Sequence, residues 1–247
     1  MIYTITINPA IDKSTKVPVL KSSQKLRCEQ PVFEPGGGGV NVSRAIHKLG
    51  GNSLCLYTSG GRTGAHMQSL LEAEGISQKP IAIKDWTREN FIVTEQSTQQ
   101  QFRFGMPGPN ITIQEQQDIL GLLQDSLKHD DFLVASGSLP PDLSSNFYAR
   151  IAEVVQANKA KLILDTSGPA LKEAAKSGVY LLKPNLGEVS SLLDRPSLTA
   201  SDIEDAAAML IEQGYCQVVV ISLGAKGAYL AGHDQHGYIA APAVHQV

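Results

Sequence analysis

The sequence predicts an α/β protein: a mostly parallel sheet with helices on both faces, plus a small β-sheet lid standing off it. Three observations carry this prediction. From Gln114 onward, four helix-patterned segments each precede an apolar strand, the rhythm of a parallel sheet. The turns that follow those strands are small, polar or charged, and open α/β sheets gather ligands there. Residues 81–105 hold three short, half-polar strand patterns with little core-forming helix. The chain has 247 residues, 42% hydrophobic and 18% charged, enough for a sizeable core.

In chain order, Ile2–Ile7 alternates as a strand does and ends at Asn8-Pro9. Residues 12–34 are polar, carry Pro18 and Pro31, and read as short strands or loops. The run Gly36–Gly39 precedes a helix on which Val42, Ala45, Ile46 and Leu49 form one apolar face, and Gly50-Gly51 stop it. Ser53–Thr58 reads as a strand and Gly64–Gly75 as a helix. The strand patterns at Ile81–Ile83, Asn90–Glu95 and Gln101–Gly105, with part of 12–34, make the lid. The core is then 1–11, 35–80 and 108–247, and the lid 12–34 and 81–107. The alternation that follows is helix Gln114–Leu127 and strand Phe132–Ser136, helix Asn146–Asn158 and strand Lys161–Asp165, helix Ala170–Lys176 and strand Tyr180–Lys183, helix Ser201–Glu212 and strand Gln217–Ser222. In the last helix Ile203, Ala206, Ala207 and Leu210 form the core face. Gly227–Gly232 and Gly237–Val244 read as antiparallel strands near an edge. There is no internal repeat.

Composition narrows the partners. A net charge of −3 without a basic run argues against nucleic acid, so an anionic small substrate needs a local pocket of Lys and Arg. Cys28, Cys55 and Cys216 are odd in number and far apart, which reads as buried reduced thiols and fits a cytoplasm. The start MIYTITINPA has neither the basic beginning nor the apolar run of a signal peptide. No apolar run is long enough to span a membrane.

Four motifs can carry chemistry. Glycines directly before a helix let backbone N–H groups and the positive helix end close on an anion or a hydroxyl-rich ligand; a flexible loop is the bland alternative. A dinucleotide fingerprint fails on spacing, and no GK[ST] makes a Walker A loop. In SLGAKG, Gly224 and Gly227 let the chain pass close to a phosphate or purine, or simply make a turn. In KPNLGE, Glu188 and the neighbouring Asp165 can hold Mg²⁺ through water beside Lys183 and Asn185. Alternatively Asn185 is an N-cap with Glu188 closing a capping box. Lys25, Arg27, Arg88 and Arg103 are either phosphate contacts or solvated charges. Asp12 can accept hydrogen bonds from sugar hydroxyls. The six histidines show no metal-ligand spacing, and His233 and His236 flank a turn.

Together and in order, TINPAID, KLRC, PGGGGVNVSRAIHKLGG, KDWTREN, FRFGMPGP, SGSLPP, DTSG, KPNLGE and SLGAKG resemble the ribokinase-type (phosphofructokinase-B) family of carbohydrate kinases over the whole chain. KLRC, PVFEPGGGGVNV and KDWTREN look most like its minor, B-type 6-phosphofructokinase branch. The 1-phosphofructokinases and tagatose-6-phosphate kinases share much of the pattern.

The resemblance implies a ribokinase-like fold and MgATP-dependent conversion of fructose 6-phosphate to fructose 1,6-bisphosphate, a cytoplasmic glycolytic step. It implies that the sugar lies on the backbone of Gly37 and Gly38, with Asn41 and Asp12 on its hydroxyls and Ser138 lining the pocket. Lys25, Arg27, Arg88 and Arg103 would meet its phosphate. Lys183 and Asn185 would face the ATP phosphates, Asp165 and Glu188 would organise Mg²⁺, and Ser222, Gly224 and Gly227 would border the nucleotide. K⁺ is a further cofactor of the pattern, and a homodimer through the lid its assembly. One departure stands out. The family's Gly-Ala-Gly-Asp signature, which supplies the general base and the anion hole, is missing, and the chain stops at Val247 just short of it. Losing an anion hole costs about 10²–10³ in rate and losing a general base a further ~10²–10⁴. The expectation is therefore a nearly inactive chain, explained by truncation, with no catalytic Asp of its own. The alternative is a non-catalytic sugar-phosphate-binding fragment.

Overall fold

The structure, a computed structural model, describes residues 1–242. It forms two compact units: Thr4–Gln116 with Leu139–Leu143, and Met1–Tyr3, Gln117–Ser138 and the chain from Ser144 onward.

In the first unit β1 (Ile2–Thr6), whose end lies here, β4 (Leu54–Ser59) and β5 (Gln78–Ala82) are neighbours in that order. A second, four-stranded sheet has the order β3 (Val32–Gly36), β2 (Ala10–Val17), β6 (Arg88–Glu95), β7 (Gln101–Phe104). Its central pair is parallel and its outer pairs antiparallel. The helices are α1 (Gly38–Lys48), α2 (Gly61–Ala73) and the start of α3 (Ile113–Ser126). Ile11, Val40, Tyr57, Met67, Leu71 and Ile76 form one buried cluster, with Phe33 packed against it.

Two expectations change here. The strand pattern at 81–83 belongs to β5, which pairs in parallel with β4 (Thr58 opposite Ile81) in the larger sheet rather than in the small one. Pro80 obscured it, and β5 tolerates that proline because it is an edge strand. On α1 the apolar stripe is not the packed face. Gly39, Val40 and Ser43 are buried, whereas Leu49 is 88% exposed. The reason is Gly39. A Cβ there would stand 2.5 Å from the Ile5 carbonyl oxygen and 2.8 Å from Thr6 Oγ1. The helix therefore closes on β1 through its smallest residues, and Val40 N donates to Thr6 Oγ1 at 3.0 Å. Gly39→Val is expected to lower the urea unfolding free energy by about 3 kcal/mol, since overpacking against backbone has no flexible neighbour to yield. An unchanged denaturation midpoint would contradict this packing.

The second unit runs α3, β8 (Phe132–Ser136), α4 (Phe147–Ala157), β9 (Lys161–Asp165), α5 (Gly168–Lys176), β10 (Val179–Leu182), α6 (Leu186–Leu192), α7 (Ile203–Glu212), β11 (Cys216–Ser222), β12 (Ala228–Gly232) and β13 (His236–Ile239). The strand order is β13-β12-β11-β10-β9-β8. Strands β8 to β11 are mutually parallel, and β12 and β13 return antiparallel. The alternation read from the sequence is therefore present. Ile203, Ala206, Ala207 and Leu210 are the buried face of α7. Helix α6 begins where the capping reading of KPNLGE places a helix start. Strand β13 ends at Ile239, and Ala243 and Val244 of the expected strand lie outside the described residues.

Cys55 and Cys216 are buried, and burial pushes the Cys216 thiol up to about 12. Cys28 is exposed instead of buried, because its segment joins β2 to β3 as an open connection. Among the described residues no helix is long and apolar enough to cross a membrane.

Candidate active site

The first unit assembles a carboxylate and two guanidinium groups. Asp12 on β2 stands opposite Asn90 on the parallel neighbour β6. Asn90 Nδ2 donates to Asp12 Oδ1 at 2.8 Å, and Asn90 Oδ1 accepts from Met106 N at 3.2 Å. The other carboxylate oxygen lies over Gly36, where a Cβ would be 2.5 Å away. Asp12, Asn90 and Arg103 line one pocket of about 180 Å³. Arg103 is exposed, its Nε donating to Gln101 Oε1 at 2.7 Å. Arg88 gives Nη1 to Met106 O at 2.9 Å and Nη2 to Asn8 O at 3.1 Å, while its buried Nε has no acceptor. Burial lowers its pKa from the ordinary guanidinium value, and the charge of Asp12 opposes that.

The remaining sugar-side candidates are looser. Lys25 and Arg27 are exposed on the segment between β2 and β3 and do not line that pocket. Asn41 is exposed on α1, 3.5 Å from Arg44 Nη1. Arg44 forks onto both Glu74 oxygens at 2.6 and 2.7 Å and donates to Pro35 O, so it pins the glycine run to α2. Gly37, at φ 123, is closed from behind by its own chain: a Cβ would meet Thr6 Cγ2 at 2.7 Å. Half-exposed Gly38 begins α1.

In the second unit the carboxyl ends of β8 to β11 carry the other candidates. Asp165 Oδ2 accepts from Ser136 Oγ at 3.2 Å, and Asp165 Oδ1 pairs with Lys183 Nζ at 3.1 Å. The Gly137 carbonyl accepts both Tyr148 OH at 3.0 Å and Thr166 Oγ1 at 2.9 Å. Tyr148 is fully buried, which raises the pKa of its phenol. These bonds fix the turn that presents Ser138 to solvent. Asn185 caps α6: its Oδ1 accepts Glu188 N at 3.0 Å, and Glu188 Oε2 accepts Asn185 N at 2.8 Å. Of the two readings of KPNLGE, the capping box is therefore present.

A pocket of about 490 Å³ opens beside this cap, walled by Asn185, Ile203, Ser222, Leu223 and Tyr238. Apolar walls with a polar rim suit a nucleobase. Gly224, next in the chain to Leu223, has open space where a Cβ would stand, whereas Gly227, at φ 105, packs on the backbone of Ile239–Ala241. Among the described residues no three His, Cys, Asp or Glu side chains form a metal cage. Asp165 and Glu188 are oxygen donors already engaged by protein groups, a type that suits magnesium reached through water.

The profile of the pfkB family carbohydrate kinases matches residues 1–247. The chain belongs to the pfkB family of carbohydrate kinases. It is 42% identical over 242 residues to the ATP-dependent 6-phosphofructokinase isozyme 2 of Mycobacterium tuberculosis, covering 98% of this chain and 71% of that protein. It is 30% identical to the 1-phosphofructokinase of Bacillus subtilis, over 93% of this chain and 74% of that one. The crystal structure of the phosphofructokinase-2 from Escherichia coli in complex with fructose-6-phosphate superposes with a TM-score of 0.94 at 37% identity, covering 99% of this chain and 80% of the other. The pfkB assignment agrees with the resemblance read from the motifs, and the ribokinase-like α/β fold with a small second sheet is present. Asn90, Tyr148 and Thr166 were not singled out from the sequence. Asn90 and Thr166 had a signal there, as the last residue of KDWTREN and the second of DTSG.

Proposed function

We propose that this chain is built for MgATP-dependent phosphorylation of fructose 6-phosphate, its first unit binding the sugar phosphate and its second the nucleotide. The observation that carries the reading is the pocket where Asp12 and Arg103 meet: a carboxylate for hydroxyls and a guanidinium for a phosphate, in one small concavity. Asp12 and Asn41 orient hydroxyls, Arg88 and Arg103 with Lys25 and Arg27 neutralise the phosphate, and Gly37 and Gly38 border the sugar. Lys183 and Asn185 meet the nucleotide phosphates, Ser222, Gly224 and Gly227 flank the base, and Glu188 and Asp165 receive magnesium through water. MgATP supplies the phosphoryl group and the metal charge that offsets its negative oxygens. K⁺ is a further candidate cofactor; a structure of the Escherichia coli phosphofructokinase-2 is in complex with potassium.

The 247 residues contain no Gly-Ala-Gly-Asp, so turnover by these residues alone is expected to be slow, and binding is the direct test. In calorimetric titrations fructose 6-phosphate is expected to bind more tightly than fructose 1-phosphate, tagatose 6-phosphate or ribose. Tighter binding of tagatose 6-phosphate or fructose 1-phosphate would move the reading to that branch of the family, and turnover at ordinary kinase rates would end the expectation of inactivity. Arg103→Ala is expected to weaken the sugar phosphate about 10-fold and ATP not at all, since one charge-assisted contact is lost. Glu188→Gln keeps an acceptor for Asn185 N, so the melting temperature should hold while the magnesium dependence of ATP binding weakens. An unchanged magnesium titration would leave Glu188 only its cap. The small sheet has exposed Val32 and Phe104 on its two edge strands, and pairing of those edges in a homodimer is the assembly we propose.

A further inference from the structure

We propose that Asn90 is a positioning residue that sets the sugar specificity of this site by holding Asp12 in a single orientation; the inference rests on the sugar-phosphate reading above. Asn90 and Asp12 are register partners on parallel strands, joined at 2.8 Å, so their backbones fix their separation. An amide can face a carboxylate only with its N–H₂ end, and that leaves Oδ1 of Asn90 pointing away. That oxygen accepts Met106 N, which locks the amide against flipping. On the other side of the carboxylate Gly36 leaves room for Asp12 Oδ2 and for nothing larger, because a Cβ would be 2.5 Å from it. The carboxylate plane is thus held from both sides. Met106 is tied a second time, through its carbonyl, to Arg88. Asn90 therefore couples the hydroxyl-reading carboxylate to the segment that also holds the Arg88 guanidinium. An acceptor held this firmly rejects a sugar whose hydroxyl lies elsewhere, because the buried polar groups are then left unpaired.

The charged groups around Asp12 are Arg88 and Arg103 from β6 and β7, and Glu34 opposite it on β3. Asn90→Asp adds a second carboxylate to that group, whereas Asn90→Leu removes the donor without adding charge. Wild type and both variants are titrated by calorimetry with fructose 6-phosphate, fructose 1-phosphate and tagatose 6-phosphate from pH 5.5 to 8, with ATP titrations and melting temperatures alongside.

Asn90→Leu is expected to bind the preferred sugar phosphate about 10-fold more weakly, to discriminate less among the three, and to follow the wild-type pH profile. Asn90→Asp is expected to lose about 100-fold at pH 8 and to recover most of it at pH 5.5, where the facing carboxylates share a proton. ATP affinity stays at the wild-type value in both; the melting temperature holds in Asn90→Leu, whereas in Asn90→Asp it falls at pH 8 and returns at pH 5.5 with the sugar affinity. Sugar affinities within twofold of wild type at every pH overturn the inference. So does a joint fall of sugar affinity, ATP affinity and melting temperature, which marks Asn90 as structural. Wild-type preference for a sugar other than fructose 6-phosphate overturns only the choice of substrate, and the variants then report on that sugar. Failure of the wild type to bind any of the three overturns both readings.

Discussion

Asp12→Ala is expected to weaken fructose 6-phosphate binding by about 10²-fold while ATP binding is unchanged, because two hydrogen bonds to a charged acceptor are lost together. The expectation follows from the surroundings of the carboxylate. Asp12 is half-buried, orders Asn90, and is the charge that offsets the desolvation of Arg88. Its removal takes away the acceptor for the sugar and leaves Asn90 Nδ2 and the Arg88 guanidinium without their partner charge. Asp12→Asn keeps the shape and an acceptor for Asn90 Nδ2 but loses the charge and puts an N–H₂ where Oδ2 stood, and about 10-fold is expected for it. Calorimetric titration with fructose 6-phosphate and with ATP reads both. Equal affinity in Asp12→Ala and wild type would remove Asp12 from the site.

Gly227→Val is expected to reduce ATP affinity at least about 10-fold and to destabilise the second unit by about 3 kcal/mol, with fructose 6-phosphate binding intact. Gly227 has φ 105, a region closed to branched side chains, and a Cβ there runs into the Ile239 carbonyl and stands 2.7 Å from Ala241 N. The clash pushes β13 away from β12, and Tyr238, a wall of the larger pocket, moves with it. Gly224→Ala is the contrast. Its φ is also positive, but no atom lies where its Cβ would go, so only about 1 kcal/mol of backbone strain is expected. Nucleotide titration with thermal melting separates the two. A Gly227→Val variant that binds ATP normally would show that the strand pair does not shape the pocket.

The sequence made the alternating half of the fold legible because each strand there is buried on its helix-covered side and each helix repeats its apolar residues. Strands β8 and β9 have the bounds read for them, and the four residues chosen for α7 are its buried face. Helix α1 shows where that logic stops. Hydrophobicity pointed to Val42 and Leu49, but contact distance to β1 selected Gly39 and Ser43. The glycine run was legible as a place of close approach, but the partners of Gly36, Gly37 and Gly39 are the chain's own Asp12, Thr6 and Ile5. Asn90 was quoted with its motif yet given no part, since its meeting with Asp12 across 78 residues depends on strand register. The Tyr148 and Thr166 hydroxyls share that difficulty, because a carbonyl with two donors leaves no trace in a string of letters.

That doubly held carbonyl has a mechanical consequence. With Gly137 gripped from two sides and Asp165 fastened to both Ser136 and Lys183, the tips of β8, β9 and β10 form a stiff anvil. A ligand arriving there freezes few torsions, so little affinity is lost to ordering.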